Sequence, residues 1–302
     1  MASSKSGDDF QAMNKRKEQA RDIWLYYRFI RKCRNHPWTF STPIRYIERV
    51  FVPRHRTLRI GAYFDAVMSR LGVTPEHALA YYREELMADR VLKSAFVQGA
   101  ESNKDVQFDK IYGRLFKREH YVTNYYALMR EIKPNIVVET GTADGCLTSW
   151  ILTALHKNNR GKLLSIDIPP RKGKMEMTTS LSMDNVGYLI PHAYRDRWEY
   201  HAGDAKELLP KLLIENDVDV FIHDSLHTRT HMLFEYNCAR ALMRPNTIIM
   251  SHDILWNKAF FSFIASHNLE GLSCISDPNL GLTINKFEPY EEEIGLGVLK
   301  VT

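Results

Sequence analysis

An α/β fold with a mainly parallel sheet, led by a helical N-terminal segment, is the class this sequence predicts. Two observations carry that prediction. From about residue 116 onward, short β-rich runs alternate with helical segments: NIVVET (135–140), KLLSID (162–167), WEYHAG (198–203), VDVFIHD (218–224) and NTIIMSHD (246–253). That alternation is the signature of βαβ units and a parallel sheet. The runs are also continuously apolar, as strands covered by helices on both faces must be. The end of the chain departs from the pattern. LSCISDPNLGLTINKF and GLGVLKV read as strands joined by turns with no helix between them, which predicts an antiparallel hairpin closing one edge of the sheet.

The first 115 residues read as a helical appendage, with residues 116–302 as the α/β domain. Ile23, Trp24, Tyr27 and Ile30 recur at helical spacing between Lys15 and Arg34, and the proline-bearing NHPWTFSTP interrupts them. TPEHALAYYREELMADRVLKSAF predicts a helix with Thr74 as N-cap and Pro75 in its first turn. Charge is uneven. Residues 15–60 hold thirteen Lys and Arg against three acids, a surplus of ten, while the whole chain carries +5; the remainder is therefore acidic by five. No apolar run approaches the roughly 20 residues that span a bilayer, and the N-terminus lacks the apolar core of a signal peptide. Cys33, Cys146, Cys238 and Cys274 are scattered without a C-x-x-C pair. That predicts a reduced, cytoplasmic setting with neither a disulfide framework nor a cysteine metal site.

Function is most legible at IVVETGTADGCLTSWILTAL (136–155), a buried strand, a glycine turn and a helix. The first βα turn of an open α/β sheet is the usual cofactor position. Glycine at 141 permits a sharp turn and glycine at 145 a close backbone approach, although a plain βα turn uses glycine too. Asp167 ends the next strand 22 residues after Gly145, the spacing of an acid that hydrogen-bonds ribose hydroxyls; a helix cap is the plain alternative. The phosphate-loop pattern G-x-x-x-x-G-K-[ST] is absent, and the glycine spacing differs from the dinucleotide pattern G-x-G-x-x-G. Glu139 beside the turn repels pyrophosphate but suits a cation. A positively charged nucleoside fits, and S-adenosylmethionine, a sulfonium bearing an ammonium group, is one.

VVETGTADG, SIDIPP, RDRWEYHAGDAKELLP, VDVFIHDSLHT and RPNTIIMSHDI, in that order, resemble the class I S-adenosylmethionine-dependent methyltransferases. The likeness is strongest to a small-molecule O-methyltransferase-like branch with an H-D-S-x-H-T run, and it spans about residues 120–301. The resemblance implies a Rossmann-like seven-stranded sheet whose last strand is antiparallel. It implies cofactor contacts from Glu139, Gly141, Thr142, Gly145, Asp167, Asp204, Ala205 and Asp224, with Glu139 and Gly141 near the methionine moiety, Asp167 on the ribose, and Asp204 with Ala205 at the adenine edge.

Methyl transfer from a sulfonium is an in-line displacement that depends on positioning. A hydroxyl acceptor also needs a base or an acidifying metal ion. The fourth and fifth strands end in His223, Asp224, His227, His252 and Asp253. Asp224, Asp253 and His252 are the expected ligands of a divalent cation, magnesium or another, and His227 with Asp224 the expected catalytic pair; helix capping by the two acids is the plain alternative. Three departures from the relatives' pattern stand out: His252 replaces the first of two acids, Ile254 follows Asp253, and Leu226 stands where many relatives have an acid. The softer imidazoles suit a softer ion. The absence of an N-P-P-Y or D-P-P-Y run points to a hydroxyl of a small molecule or sugar, with or without homo-oligomerisation. Two other readings stay open: a macromolecule such as RNA guided by the basic arm, and a silent cofactor-binding scaffold. The arm itself reads as a packed helix, an anion or membrane-surface binder, or an RNA contact.

Overall fold

The computed structural model describes residues 55–58, 60–102, 122–168, 186–254, 257–275 and 295–300. The chain divides into two units between Val52 and Pro53, and every described residue lies in the second. The helix expected between Lys15 and Arg34 and most of the basic arm fall outside the described residues. No helix among those described is long and apolar enough to cross a membrane.

Among the described residues eight strands form one sheet: β1 (His55–Leu58), β2 (Ile136–Thr140), β3 (Lys162–Asp167), β4 (Trp198–Ala202), β5 (Val220–His223), β6 (Ile248–Ser251), β7 (Gly271–Ile275) and β8 (Gly295–Lys300). Their order across the sheet is β1-β7-β8-β6-β5-β2-β3-β4. β2 lies between β3 and β5 and is parallel to both; β4 continues the parallel run on one side and β6 on the other. β8 is antiparallel to both β6 and β7.

Among the described residues the sheet thus has eight strands rather than the expected seven. The sequence leaves open which of the last two strands is inserted; it is β8, between β6 and β7. The edge position is taken by β1, which runs parallel to β7 in the register His55↔Gly271 to Leu58↔Cys274. A bare β7 would offer a row of unpaired amides and carbonyls; four residues from the end of the basic stretch cover it.

Eight helices accompany the sheet among the described residues: α1 (Ile60–Leu71), α2 (Leu79–Ala88), α3 (Arg90–Ser102), α4 (Val122–Ile132), α5 (Cys146–Lys157), α6 (Ala205–Glu215), α7 (Arg229–Leu242) and α8 (Ala259–Ser266). Strand residues alternate between two helical layers, as a period of two requires. Val137, Leu163, Val220, Ile222, Ile248 and Met250 share one apolar cluster with Tyr63, Phe64, Leu86, Phe96, Tyr125 and Trp150 of α1 to α5. Val138, Leu164, Phe221 and Ile249, equally buried, alternate with them, and α6 and α7 pack on the strands from the other layer.

That cluster moves the domain boundary. Tyr63, Phe64, Val67 and Met68 on α1, and Leu92 and Phe96 on α3, are fully or almost fully buried in the same core as the sheet. The expected boundary near residue 115 cuts through this core, and the chain divides instead between Val52 and Pro53. The helix expected from Thr74 begins instead at Leu79, with Ala78 as its N-cap. Residues ahead of it are held elsewhere: His77 N donates to Glu131 Oε1 at 3.2 Å, and Lys133 Nζ pairs with Glu76 at 2.6 Å. Asp89 then splits the expected long helix, its side chain accepting from Leu92 N at 2.8 Å as the cap of α3.

Candidate active site at the carboxyl rim of the sheet

The turn after β2 is tightly confined. Gly141 and Gly145 adopt φ of 87° and 85°, a region that L side chains rarely enter. A Cβ on Gly141 would overlap the carbonyl of Asp224, and one on Gly145 would sit 2.7 Å from Ile190 Cγ1. Gly141 N donates to Ile166 O at 2.8 Å and Asp224 N to Thr140 O at 2.9 Å. The turn is thereby pinned between the ends of β3 and β5. Asp144 Oδ1 accepts from Cys146 N at 2.9 Å, satisfying an amide at the start of α5.

Glu139 lies fully buried on β2. Its Oε2 accepts from Thr148 Oγ1 and Ser165 Oγ, each at 2.8 Å. Its Oε1 is buried with no hydrogen-bond partner. Burial pushes this carboxyl up to about 8, against the pull of the two hydroxyls. Thr142 Oγ1 is likewise buried without a partner. Buried polar atoms are nearly always satisfied, so each exception asks for an explanation.

Asp167 is not simply poised for a ligand. Its Oδ2 accepts from Thr142 N at 2.9 Å and Ala143 N at 2.7 Å, tying β3 to the glycine turn. Burial raises its carboxyl while those amides oppose the shift. Asp204 stands at the same rim, because Gly203 N donates to Asp167 O at 2.9 Å. Its side chain caps α6, accepting from Lys206 N at 2.8 Å, and Ala205 begins that helix buried.

A second cluster lies beside the turn, across the Gly141–Asp224 contact. His223 pairs with Ser251 in the β5–β6 register, so Asp224 and His252 each follow their strand by one residue. Nδ1 of His252 is 2.8 Å from Asp224 Oδ1 and 3.3 Å from Asp253 Oδ1. Nε2 of His227 is 3.7 Å from Asp224 Oδ1 and 3.5 Å from Asp253 Oδ2. Ligand-type atoms of Asp224, His227 and His252 all lie within 4.8 Å of one another. The compact trio therefore takes in His227, where the sequence predicts Asp253; Asp253 flanks both imidazoles from an unusual φ of 50°. Burial lowers the pKa of His227 despite the two carboxylates. Burial works against ionisation of Asp253, but His252 and the other imidazoles hold its pKa below the usual value. Ile254 is fully buried and Leu226 is 59% exposed. Met232 and Phe260 are core residues.

Behind this cluster sits a residue that the sequence alone does not reveal. Glu235 on α7 is fully buried and receives four side chains: Thr140 Oγ1 at 2.7 Å, His223 Nδ1 at 2.5 Å, Ser225 Oγ at 2.8 Å and His231 Nε2 at 2.8 Å. Burial opposes its ionisation, yet the two histidines hold its carboxyl far below the ordinary range. The available signal was an acid four residues after His231, on the buried stripe of a helix with Met232, Tyr236 and Ala239.

Residues 138–254 match a family model described as a methyltransferase domain. Both clusters fall within the matched residues. No curated protein matches. Among solved structures, the chain is similar to the O-methyltransferase TomG from Streptomyces achromogenes, involved in tomaymycin synthesis and in complex with SAM. Identity is 16% over 71% of this chain and 90% of that one, with a TM-score of 0.46. It is similar also to cofactor-bound Rv0187 from MTB (15% identity, 74% and 94% coverage, TM-score 0.49). An O-methyltransferase from Bacillus cereus in complex with SAH gives 15%, 70% and 91%, and a TM-score of 0.47.

Proposed function

We propose that this methyltransferase domain transfers a methyl group from S-adenosylmethionine to a hydroxyl of a small molecule or sugar, with a divalent cation at the carboxyl rim. The observation that carries this reading is the convergence of Asp224, His227 and His252 directly beside the glycine turn.

The residues present fit the cofactor. Glu139 Oε1 and Thr142 Oγ1 are buried and unpartnered at the turn, and an ammonium group is the kind of ligand that satisfies a buried carboxylate. Asp167 keeps the turn in shape through Oδ2 and turns its remaining acceptor capacity to the ribose, while Asp204 and Ala205 border the adenine. When bound, S-adenosylmethionine supplies an electrophilic methyl group. The protein's task is to hold the acceptor oxygen in line with it and to keep water out.

The residues fit a metal ion too. One carboxylate and two imidazoles within 4.8 Å form a mixed oxygen–nitrogen set that favours manganese, zinc or another transition ion over magnesium. Such an ion lowers the pKa of an oxygen bound to it. Asp224 and His252 fix its place from two strands, His227 completes the set, and Asp253 flanks it.

A second reading rests on one observation: Nε2 of His227 lies between two carboxylates, and burial lowers the pKa of its imidazole despite them. Without a metal, Nε2 of His227 then takes the acceptor's proton, and the nearby carboxylates of Asp224 and Asp253 stabilise the imidazolium that results.

The test is incubation of the protein with methyl-labelled cofactor and a small-metabolite extract, followed by mass spectrometry with and without chelator. The proposal expects labelled O-methyl products that vanish with chelator and return with manganese. Full activity after chelation, together with a dead His227→Ala variant, would overturn the metal and leave His227 as the base.

A further inference from the structure

We infer that Glu235 is a positioning residue that fixes the Asp224–Thr228 loop from behind, through Ser225, so that Asp224 and His227 face His252. The inference rests on the reading of that trio as a cation site.

Each oxygen of Glu235 serves a different partner group. Oε2 takes the strand side, accepting from Thr140 and His223 at the ends of β2 and β5. Oε1 takes the loop side, accepting from Ser225 and from His231, whose Nε2 also lies 3.2 Å from Ser225 Oγ. One carboxylate thus joins two strand ends to the residue between Asp224 and Leu226. The loop has further ties: Asp224 N to Thr140 O at 2.9 Å, and Asn257 Nδ2 to His227 O at 2.9 Å. Glu235 ties the Ser225 side chain to α7, alongside His231 Nε2 and the Thr228 Oγ1 cap that accepts from His231 N at 3.4 Å. It also orients His223, whose ring stands edge-on to His227 with centroids 5.4 Å apart at 79° and so forms the wall behind that imidazole.

A charge in this place is poorly explained by stability. Replacing buried ionic groups with apolar ones of similar volume is often neutral or stabilising. A carboxylate with four donors specifies geometry instead, as partners behind ligating groups do.

The experiment uses the full chain and compares wild type with Ser225→Ala, Glu235→Gln and Tyr126→Phe. The last variant removes a bond of a buried tyrosine on α4, Tyr126 to Glu85 at 2.5 Å, that involves neither the loop nor the trio. Mn2+ affinity is read by electron paramagnetic resonance, S-adenosylhomocysteine affinity by calorimetry, and folding by thermal melts. The inference expects Ser225→Ala and Glu235→Gln to bind Mn2+ roughly tenfold or more weakly, with S-adenosylhomocysteine affinity kept. Tyr126→Phe should lose melting temperature but keep Mn2+ affinity. Wild-type Mn2+ affinity in both Ser225→Ala and Glu235→Gln would overturn the role, as would an equal loss in Tyr126→Phe. A wild-type protein that binds S-adenosylhomocysteine but no Mn2+ would remove the cation site itself, and this role with it.

Discussion

Nδ1 of His252 lies 2.8 Å from Oδ1 of Asp224, and the two residues stand one step beyond paired ends of neighbouring parallel strands. The fold makes this meeting. β5 and β6 keep His223 level with Ser251, and His252 N donates back to His223 O at 2.8 Å. Carboxyl ends of parallel strands are where open α/β sheets place their ligands. The two side chains sit at that rim because of their strand positions, and the Gly141 turn abuts Asp224 because no Cβ intervenes.

Glu139 gives a stability prediction with a definite sign. Its folded-state pKa of about 8 stands above the ordinary 4.5, so the native protein holds a proton that the unfolded chain releases. The associated stability is present in full below the unfolded value and is lost as pH rises through the folded one. Glu139→Gln is neutral at every pH. Its melting temperature should therefore gain on wild type by several °C, to order of magnitude, between about pH 5 and pH 8. A pH-independent gap between the two melting curves would show that Glu139 is ionised in the native state.

Deleting residues 1–52 should leave S-adenosylhomocysteine affinity largely unchanged, because β1 and every site residue lie beyond that point. A deletion through residue 60 removes β1 as well and uncovers the edge of β7, so the longer deletion should melt lower. Filter binding to RNA over a salt series tests the arm separately. Binding that weakens steeply with salt and disappears in the shorter deletion would assign the arm a polyanion role; salt-independent behaviour would leave it as a packed segment. Loss of cofactor affinity in the 1–52 deletion would contradict the site's placement.

Much of this was legible in the sequence, and the gaps have physical causes. KLLSID matches β3 residue for residue, since a doubly covered strand must be continuously apolar. Asp224, His227, His252 and Asp253 were legible by their position at strand ends. β1 was not, because four residues within a basic stretch show no alternation to read. The role of α1 and α3 in the sheet's core was hidden as well: an apolar stripe on a helix does not say what covers it. Glu235 was hidden because its partners include Thr140, 95 residues away. The bond from Asp167 to the turn was invisible for the same reason, as it spans 24 and 25 residues and depends on a left-handed Ala143.

Whether the glycine corner takes S-adenosylmethionine is decided by calorimetric titration with S-adenosylhomocysteine. Saturable one-to-one binding with proton release at neutral pH is expected, seen as a dependence of the heat on buffer ionisation, because the ligand's ammonium draws Glu139 into its charged form. Asp167→Asn should weaken that binding by roughly 2 kcal/mol, the scale of a polar group left unpaired. No binding heat with the wild-type protein, or tighter binding of NAD, would contradict the account.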